Sequence, residues 1–183
     1  MSLVQKLKNK LFARKLRQAT LANKAKHQSV HFDSAKTIGL IFEGTDMEQR
    51  DKVLAYAARL KKEGKRVRLL AFMDNKVDNS GFVFKNFNRD DLDFSLCPKV
   101  EEVKSFIAEP LDVLINLSLK QVPALNFIVA SAKARFRVGP YDEAASYYEL
   151  MIDLPKNRKL EDYIKQVDVY LNKMQTTYEA AAV

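Results

Sequence analysis

The run Thr37-Ile-Gly-Leu-Ile-Phe42 decides the fold, read together with Glu43-Gly-Thr-Asp46 after it and Val67-Arg-Leu-Leu-Ala-Phe-Met73 further on. The first run is apolar at almost every position, the mark of a strand covered on both faces. Thr45 then reads as a helix N-cap, with Glu48 three residues on completing a capping box. The helix should run to about Lys62, and Gly64 stands where a left-handed C-cap residue belongs. Lys61, Lys62 and Lys65 crowd that end, as the helix dipole favours. Val67 to Met73 is the second strand. A β-α-β unit of this length predicts parallel strands joined by a right-handed crossover.

Toward the C-terminus the alternation continues. Asp74 to Ser80 is a polar loop, and Phe82 to Phe87 reads as a short strand or edge hairpin. After an irregular stretch, Pro98 precedes a short helix at about Val100–Ala108, and Asp112 to Leu119 is a third clear strand. Pro123 occupies a helix first-turn position, opening an apolar helix over 124–134. Arg135 to Val138 and Glu149 to Leu154 are further strands, and Leu160 to about Gln175 is an amphipathic helix. This order predicts an α/β domain at 35–176, with a three-layer, open, mainly parallel sheet of the Rossmann-like or flavodoxin-like kind. Residues 177–183 read as a frayed tail.

Toward the N-terminus the pattern is different. Residues 2–26 read as one helix, with Leu3, Leu7 and Leu11 one turn apart and Phe12, Leu16, Ala19 and Ala22 continuing the stripe. We assign 1–27 to a basic helical arm and 28–34 to a polar linker. Lys6, Lys8, Lys10, Arg14, Lys15, Arg17, Lys24 and Lys26 give this arm eight bases and no acid. The whole chain of 183 residues has 31 Lys+Arg against 23 Asp+Glu, so beyond the arm 23 bases face 23 acids. The net charge of +8 thus belongs to one helix on a neutral body.

Composition narrows the function classes. With 47% hydrophobic and 30% charged residues the chain is globular rather than disordered. A single cysteine, Cys97, excludes an internal disulfide and a Cys-rich zinc site, and accords with a reducing compartment. No stretch approaches a membrane span, and Lys6, Lys8 and Lys10 interrupt any secretory apolar core. Cytoplasm is the expected compartment.

In open parallel sheets ligands bind beyond the carboxyl ends of the strands. Those ends carry Glu43, Thr45 and Asp46, then Asp74, then Asn116 and Ser118, and these six are the candidate ligand-binding residues. Read along the chain this rim is acidic to neutral, because Lys36, Arg66, Arg68, Arg135 and Arg137 fall toward the opposite strand ends. Only Gly44 stands where a dinucleotide fingerprint needs three spaced glycines, so no cofactor is indicated. His27 and His31 are four apart, but two histidines cannot build a three-His zinc site, and a polar hinge is the preferred reading. No Gly-x-Ser-x-Gly turn surrounds Ser95, Ser118 or Ser131. Asp90, Asp91 and Asp93 lack the glycine and glutamate of a calcium loop and read as a solvated turn. No catalytic or metal-ligating residue is assigned.

The arm is the strongest functional feature. Its stripe could pack on the body or on a second copy, giving a homo-oligomer. Alternatively Lys6, Lys8, Lys10, Arg14, Lys15 and Arg17 contact an anionic partner, either a membrane surface or a nucleic acid. The leading expectation is a non-catalytic binding or scaffold protein acting through the arm. The alternative is a small-ligand-binding or enzymatic domain using the rim.

Lys36-Thr-Ile-Gly-Leu-Ile-Phe42, Arg68-Leu-Leu-Ala-Phe-Met-Asp74, Asp112-Val-Leu-Ile-Asn-Leu-Ser118 and Ser131-Ala-Lys-Ala-Arg-Phe-Arg-Val-Gly139 together resemble an uncharacterised family of small α/β proteins found mainly in Bacteroidetes. The likeness runs from about residue 5 to residue 170 and includes the basic first helix. The resemblance implies no activity and no catalytic residues. The Asp112–Leu117 strand and the Arg137-Val-Gly139 phrase are also faintly similar to the N-terminal half of heptosyltransferase-type glycosyltransferases. The sugar-nucleotide half of such an enzyme has no counterpart in this sequence, so that likeness implies at most a shared fold.

Overall fold

A computed structural model describes residues 2–23, 32–155, 157 and 159–179, with side chains to 173. Six strands form one parallel sheet: β1 (Thr37–Glu43), β2 (Arg66–Met73), β3 (Lys85–Asn88), β4 (Leu111–Asn116), β5 (Ala134–Pro140) and β6 (Leu150–Ile152). Their order across the sheet is β3-β2-β1-β4-β5-β6, and every adjacent pair is parallel. The chain therefore winds outward from β1 in one direction and then, through β4, in the other. That reversal opens a crevice beside the carboxyl ends of β1 and β4.

Five helices complete the element set: α1 (Leu3–Ala22), α2 (Met47–Lys62), α3 (Glu101–Ala108), α4 (Pro123–Ser131) and α5 (Leu160–Glu179). Strand residues alternate between two cores. Ile38, Leu40 and Phe42 of β1 meet Val53, Tyr56 and Leu60 of α2 and Tyr163 and Val167 of α5. Ile41 faces the other way, toward Phe106 of α3 and Leu125, Ile128 and Val129 of α4. Two helical layers thus sandwich the sheet, and the three-layer α/β architecture is as the strand and helix alternation predicts.

Local signals hold at several element ends. Gly64 adopts φ +82° just past α2, in open space, where a Cβ would strain the backbone. Pro123 opens α4 as its missing N–H permits. Other boundaries differ. Asp46, not Thr45, caps α2, its carboxylate accepting the Gln49 N–H at 2.9 Å. Thr45 Oγ1 instead accepts the Asp74 N–H at 2.7 Å and ties the β1 and β2 loops together. The edge strand β3 begins at Lys85; before it Phe82 stacks on Phe84, and Phe84 packs at a tilt against Phe42.

The first helix corrects the expected apolar stripe. α1 lies against α4, with Leu11, Phe12, Leu16 and Ala19 half-buried, but Leu3 and Leu7 remain exposed. The spacing of Leu3, Leu7 and Leu11 put them on one side, yet the docked face is centred on residues 8, 12, 15 and 19. Two interactions fix this rotation. Lys15 Nζ donates to Asp93 at 2.6 Å, and Asn23 Nδ2 donates to the carbonyl of Ala132 at 2.8 Å. Arg137 is not a strand-end base but a buried hub. Its guanidinium, 4% exposed, pairs with Glu149 at 3.0 Å and donates to the carbonyls of Asn23 and Ala132. Within the expected linker, Phe32 is buried in the α2–α5 core, and Lys65 Nζ donates to the carbonyls of Phe32, Asp33 and Ala35. Lys24, Lys26, His27, His31 and residues 180–183 lie outside the described residues.

Candidate functional site

A cavity of about 570 Å³ opens at the carboxyl edge of the sheet. Its floor comes from the ends of β1 and β2, through Glu43, Phe72 and Asp74. One wall is the segment after β3, with Arg89, Leu92, Phe94 and Leu96, and the other is the loop from Lys120 into the first turn of α4. Lys8 of α1 reaches the rim from above and sits over the Phe94 ring, 5.1 Å from its centroid.

Of the six rim residues read from the sequence, the structure brings Glu43 and Asp74 to this cavity and leaves four elsewhere. Thr45 and Asp46 are spent on the loop tie and the helix cap. Asn116 is buried, its Oδ1 accepting the Ser118 N–H at 3.0 Å and its Nδ2 donating to Tyr148 at 2.8 Å. Ser118 Oγ donates to the Lys120 carbonyl at 2.9 Å, so this pair shapes the β4–α4 loop as a turn.

Of the acidic to neutral rim expected from the sequence, the structure gives the neutral case. Lys8, Arg89 and Lys120 join Glu43, Asp74 and Asp93 around the cavity. Lys120 stands three residues before Pro123, within the loop the fold places at the rim, so local signal for it existed. Arg89 stands beside Asp90 and Asp91, which hide its charge in the sequence, and Lys8 is thirty-five residues from Glu43, the next cavity residue in the chain, beyond any local pattern.

Two carboxylates are already satisfied. Arg89 Nε donates to Asp74 at 2.6 Å, and this hydrogen bond holds the Asp74 carboxyl below its usual range. Asp93 is partly desolvated, which acts against ionisation. The bonds from Lys15, Ser95 and Cys97 outweigh that and bring its pKa down to about 2. Lys15 is correspondingly raised, chiefly by the hydrogen bond to Asp93. Glu43 is only 8% exposed, and among the described residues its side chain makes one hydrogen bond, Oε1 accepting the Thr45 N–H at 2.9 Å. Among the described residues its second oxygen has no hydrogen-bond partner.

The second feature is the outward side of α1. Leu3, Leu7, Lys10, Arg14, Arg17 and Leu21 follow a 4-3-4-3-4 spacing, with Lys6 beside them, on the side away from α4. Leu3, Leu7 and Leu21 are all more than half exposed. Among the described residues no carboxylate pairs with Lys6, Lys10, Arg14 or Arg17. Of the six bases read as partner contacts, Lys8 and Lys15 are committed to the body and four face solvent. Nor is any described helix long and apolar enough to cross a membrane, and no described group of three or more His, Cys, Asp or Glu is placed to hold a metal ion.

Fold and cavity define a doubly wound α/β protein with an open switch-point crevice and a docked basic helix. The chain belongs to a family of unknown function, DUF6913, whose model matches residues 8–174, from within α1 through α5. No curated protein and no solved structure matches it.

Proposed function

We propose that this protein acts by binding rather than by catalysis, and that the outward side of α1 lies on an anionic lipid surface. One observation carries the reading: docking on α4 turns four unpaired bases and three exposed leucines to the same side. Each base near an anionic leaflet contributes about 1 kcal/mol. The leucines decide between the two anionic partners. Lipid acyl chains take up Leu3, Leu7 and Leu21, whereas nucleic-acid phosphates offer them nothing. The C-terminal half of the helix is anchored by Lys15 on Asp93 and by Asn23 on Ala132, so it presents that side already folded.

Sedimentation with phosphatidylcholine vesicles, with and without phosphatidylserine, tests the proposal. Binding should require phosphatidylserine and weaken steeply with salt. Replacing Lys6, Lys10, Arg14 and Arg17 with glutamine should abolish it, while Leu7→Ser should weaken it. Equal binding to neutral vesicles, or retention by single-stranded RNA in place of vesicles, would overturn it. A second copy covering this side would show as a dimer that dissociates when Leu7 is replaced.

A further inference from the structure

We propose that the carboxyl-edge cavity binds a nucleoside monophosphate, with its phosphate at the start of α4 beside Lys120 and a ribose hydroxyl on Glu43.

Of the two helices that follow the switch-point strands β1 and β4, only one can receive an anion. The start of α2 is closed by its own Asp46 carboxylate, with Glu43 close behind it in the chain. The start of α4 has no such cap. Val122 offers no side-chain acceptor and Pro123 has no N–H. The N–H groups of Ala124 and Leu125 have no acceptor among the described residues. Unsatisfied N–H groups and the positive end of the helix dipole favour a phosphate there. Ala124 lines the cavity, so this helix start faces the space a ligand would fill. One open helix start accommodates one phosphate, which argues for a monophosphate over a diphosphate.

Charge around the cavity points the same way. Asp74 is neutralised by Arg89 and Asp93 by Lys15. That leaves Lys8 and Lys120 against Glu43, and among the described residues neither lysine has a carboxylate within ion-pair distance. The remaining balance is positive, as a phosphate monoester dianion requires.

The independent observation is Glu43. It is more than nine-tenths buried, lines the cavity, and has one carboxylate oxygen unpartnered. A carboxylate oxygen accepts hydrogen bonds, and this one is open to the cavity rather than sealed in the protein, so it offers an acceptor to a ligand hydroxyl. Ribose hydroxyls supply donors of the right size. Between the two polar ends the walls are apolar, formed by Phe72, Leu92, Phe94, Leu96 and Val122. A flat base covers such walls, whereas a bare sugar phosphate would leave them wet. The volume of about 570 Å³ lies within the usual range for small-ligand sites.

Calorimetric titration of the full chain with AMP, GMP, CMP and UMP, beside adenosine and inorganic phosphate, tests this. At least one nucleotide should bind saturably, and more tightly than either fragment. Lys120→Ala should weaken that nucleotide about tenfold, and Glu43→Gln, which keeps the acceptor for the Thr45 N–H, about fivefold. Lys120 is an exposed loop residue, so its variant reports even where Glu43→Gln disturbs folding. No saturable binding by any of the four overturns the proposal. So does an affinity indifferent to Lys120→Ala, or inorganic phosphate binding as tightly as the nucleotides. The glutamine variant of Lys6, Lys10, Arg14 and Arg17 should bind the nucleotide normally, which separates this site from lipid binding.

Discussion

Lys15 on α1 donates to Asp93, seventy-eight residues away in the chain, at 2.6 Å. The same aspartate accepts the Ser95 N–H and hydroxyl and the Cys97 N–H, so it both shapes the 93–97 turn and anchors the helix. The acidic run that reads as a solvated turn is in this respect a docking point. Asp91 is likewise engaged, accepting the Asn88 N–H to close a short capping box.

Acid should loosen α1. Asp93 has a folded-state pKa of about 2, below the value of about 4 expected once unfolded. Its stabilisation is therefore complete above about pH 4 and is lost as pH falls through about 2. Both partners are a third or more exposed, so screening reduces the contribution to about 1 kcal/mol. Asp93→Asn should lower stability by that amount at neutral pH and flatten the acid limb of a urea-midpoint profile. An unchanged acid limb would show that the pair contributes nothing.

Arg137 should be among the costliest single replacements. Arg137→Met leaves Glu149 without its cation and the carbonyls of Asn23 and Ala132 without that donor. Removing one partner of a buried ion pair costs about 3–5 kcal/mol. Denaturant unfolding measures the loss, and proteolysis should cut near Asn23 earlier in the variant, because the C-terminal end of α1 is released.

Gly139 and Tyr148 should behave as a coupled pair. A Cβ at Gly139 would overlap the Tyr148 ring, so Gly139→Ala must displace that side chain. Tyr148 receives the hydrogen bond from buried Asn116, and Tyr148→Phe would strand that donor at a cost of about 1–3 kcal/mol. Gly139→Ala should cost a similar amount. The double variant should lose less than the sum, since both changes break the same bond. Strict additivity in thermal melts would rule out the coupling.

Cys97 should be chemically quiet. The thiol is buried, and burial pushes its pKa up, which removes the reactive thiolate at neutral pH. Its reaction with an aromatic disulfide reagent should be at least about tenfold slower in the native protein than in denaturant. Fast native labelling would mean that the 93–97 turn opens readily.

The sequence by itself determined the elements and their class. Apolar runs such as Thr37–Phe42, Gly64 past α2 and Pro123 at the start of α4 each act over a few residues, so their consequences can be read locally. The start of α2 was legible to within one residue, as Thr45 and Asp46 show, because adjacent side chains compete for the same N–H groups. By contrast α1 ends at Ala22 and α4 at Ser131, short of the expected 26 and 134. What only the tertiary structure decided was rotation and convergence. Whether Leu7 or Phe12 faces the body depends on Lys15 finding Asp93 and on Asn23 finding Ala132 and Arg137, partners seventy-eight or more residues distant. The rim that reads as acidic to neutral along the chain is neutral in space, because Lys8, Arg89 and Lys120 reach it from three separate segments. Caps and periodicity are short-range interactions and leave their mark in neighbouring residues. The placing of one surface on another depends on contacts between distant segments, and no local pattern encodes them.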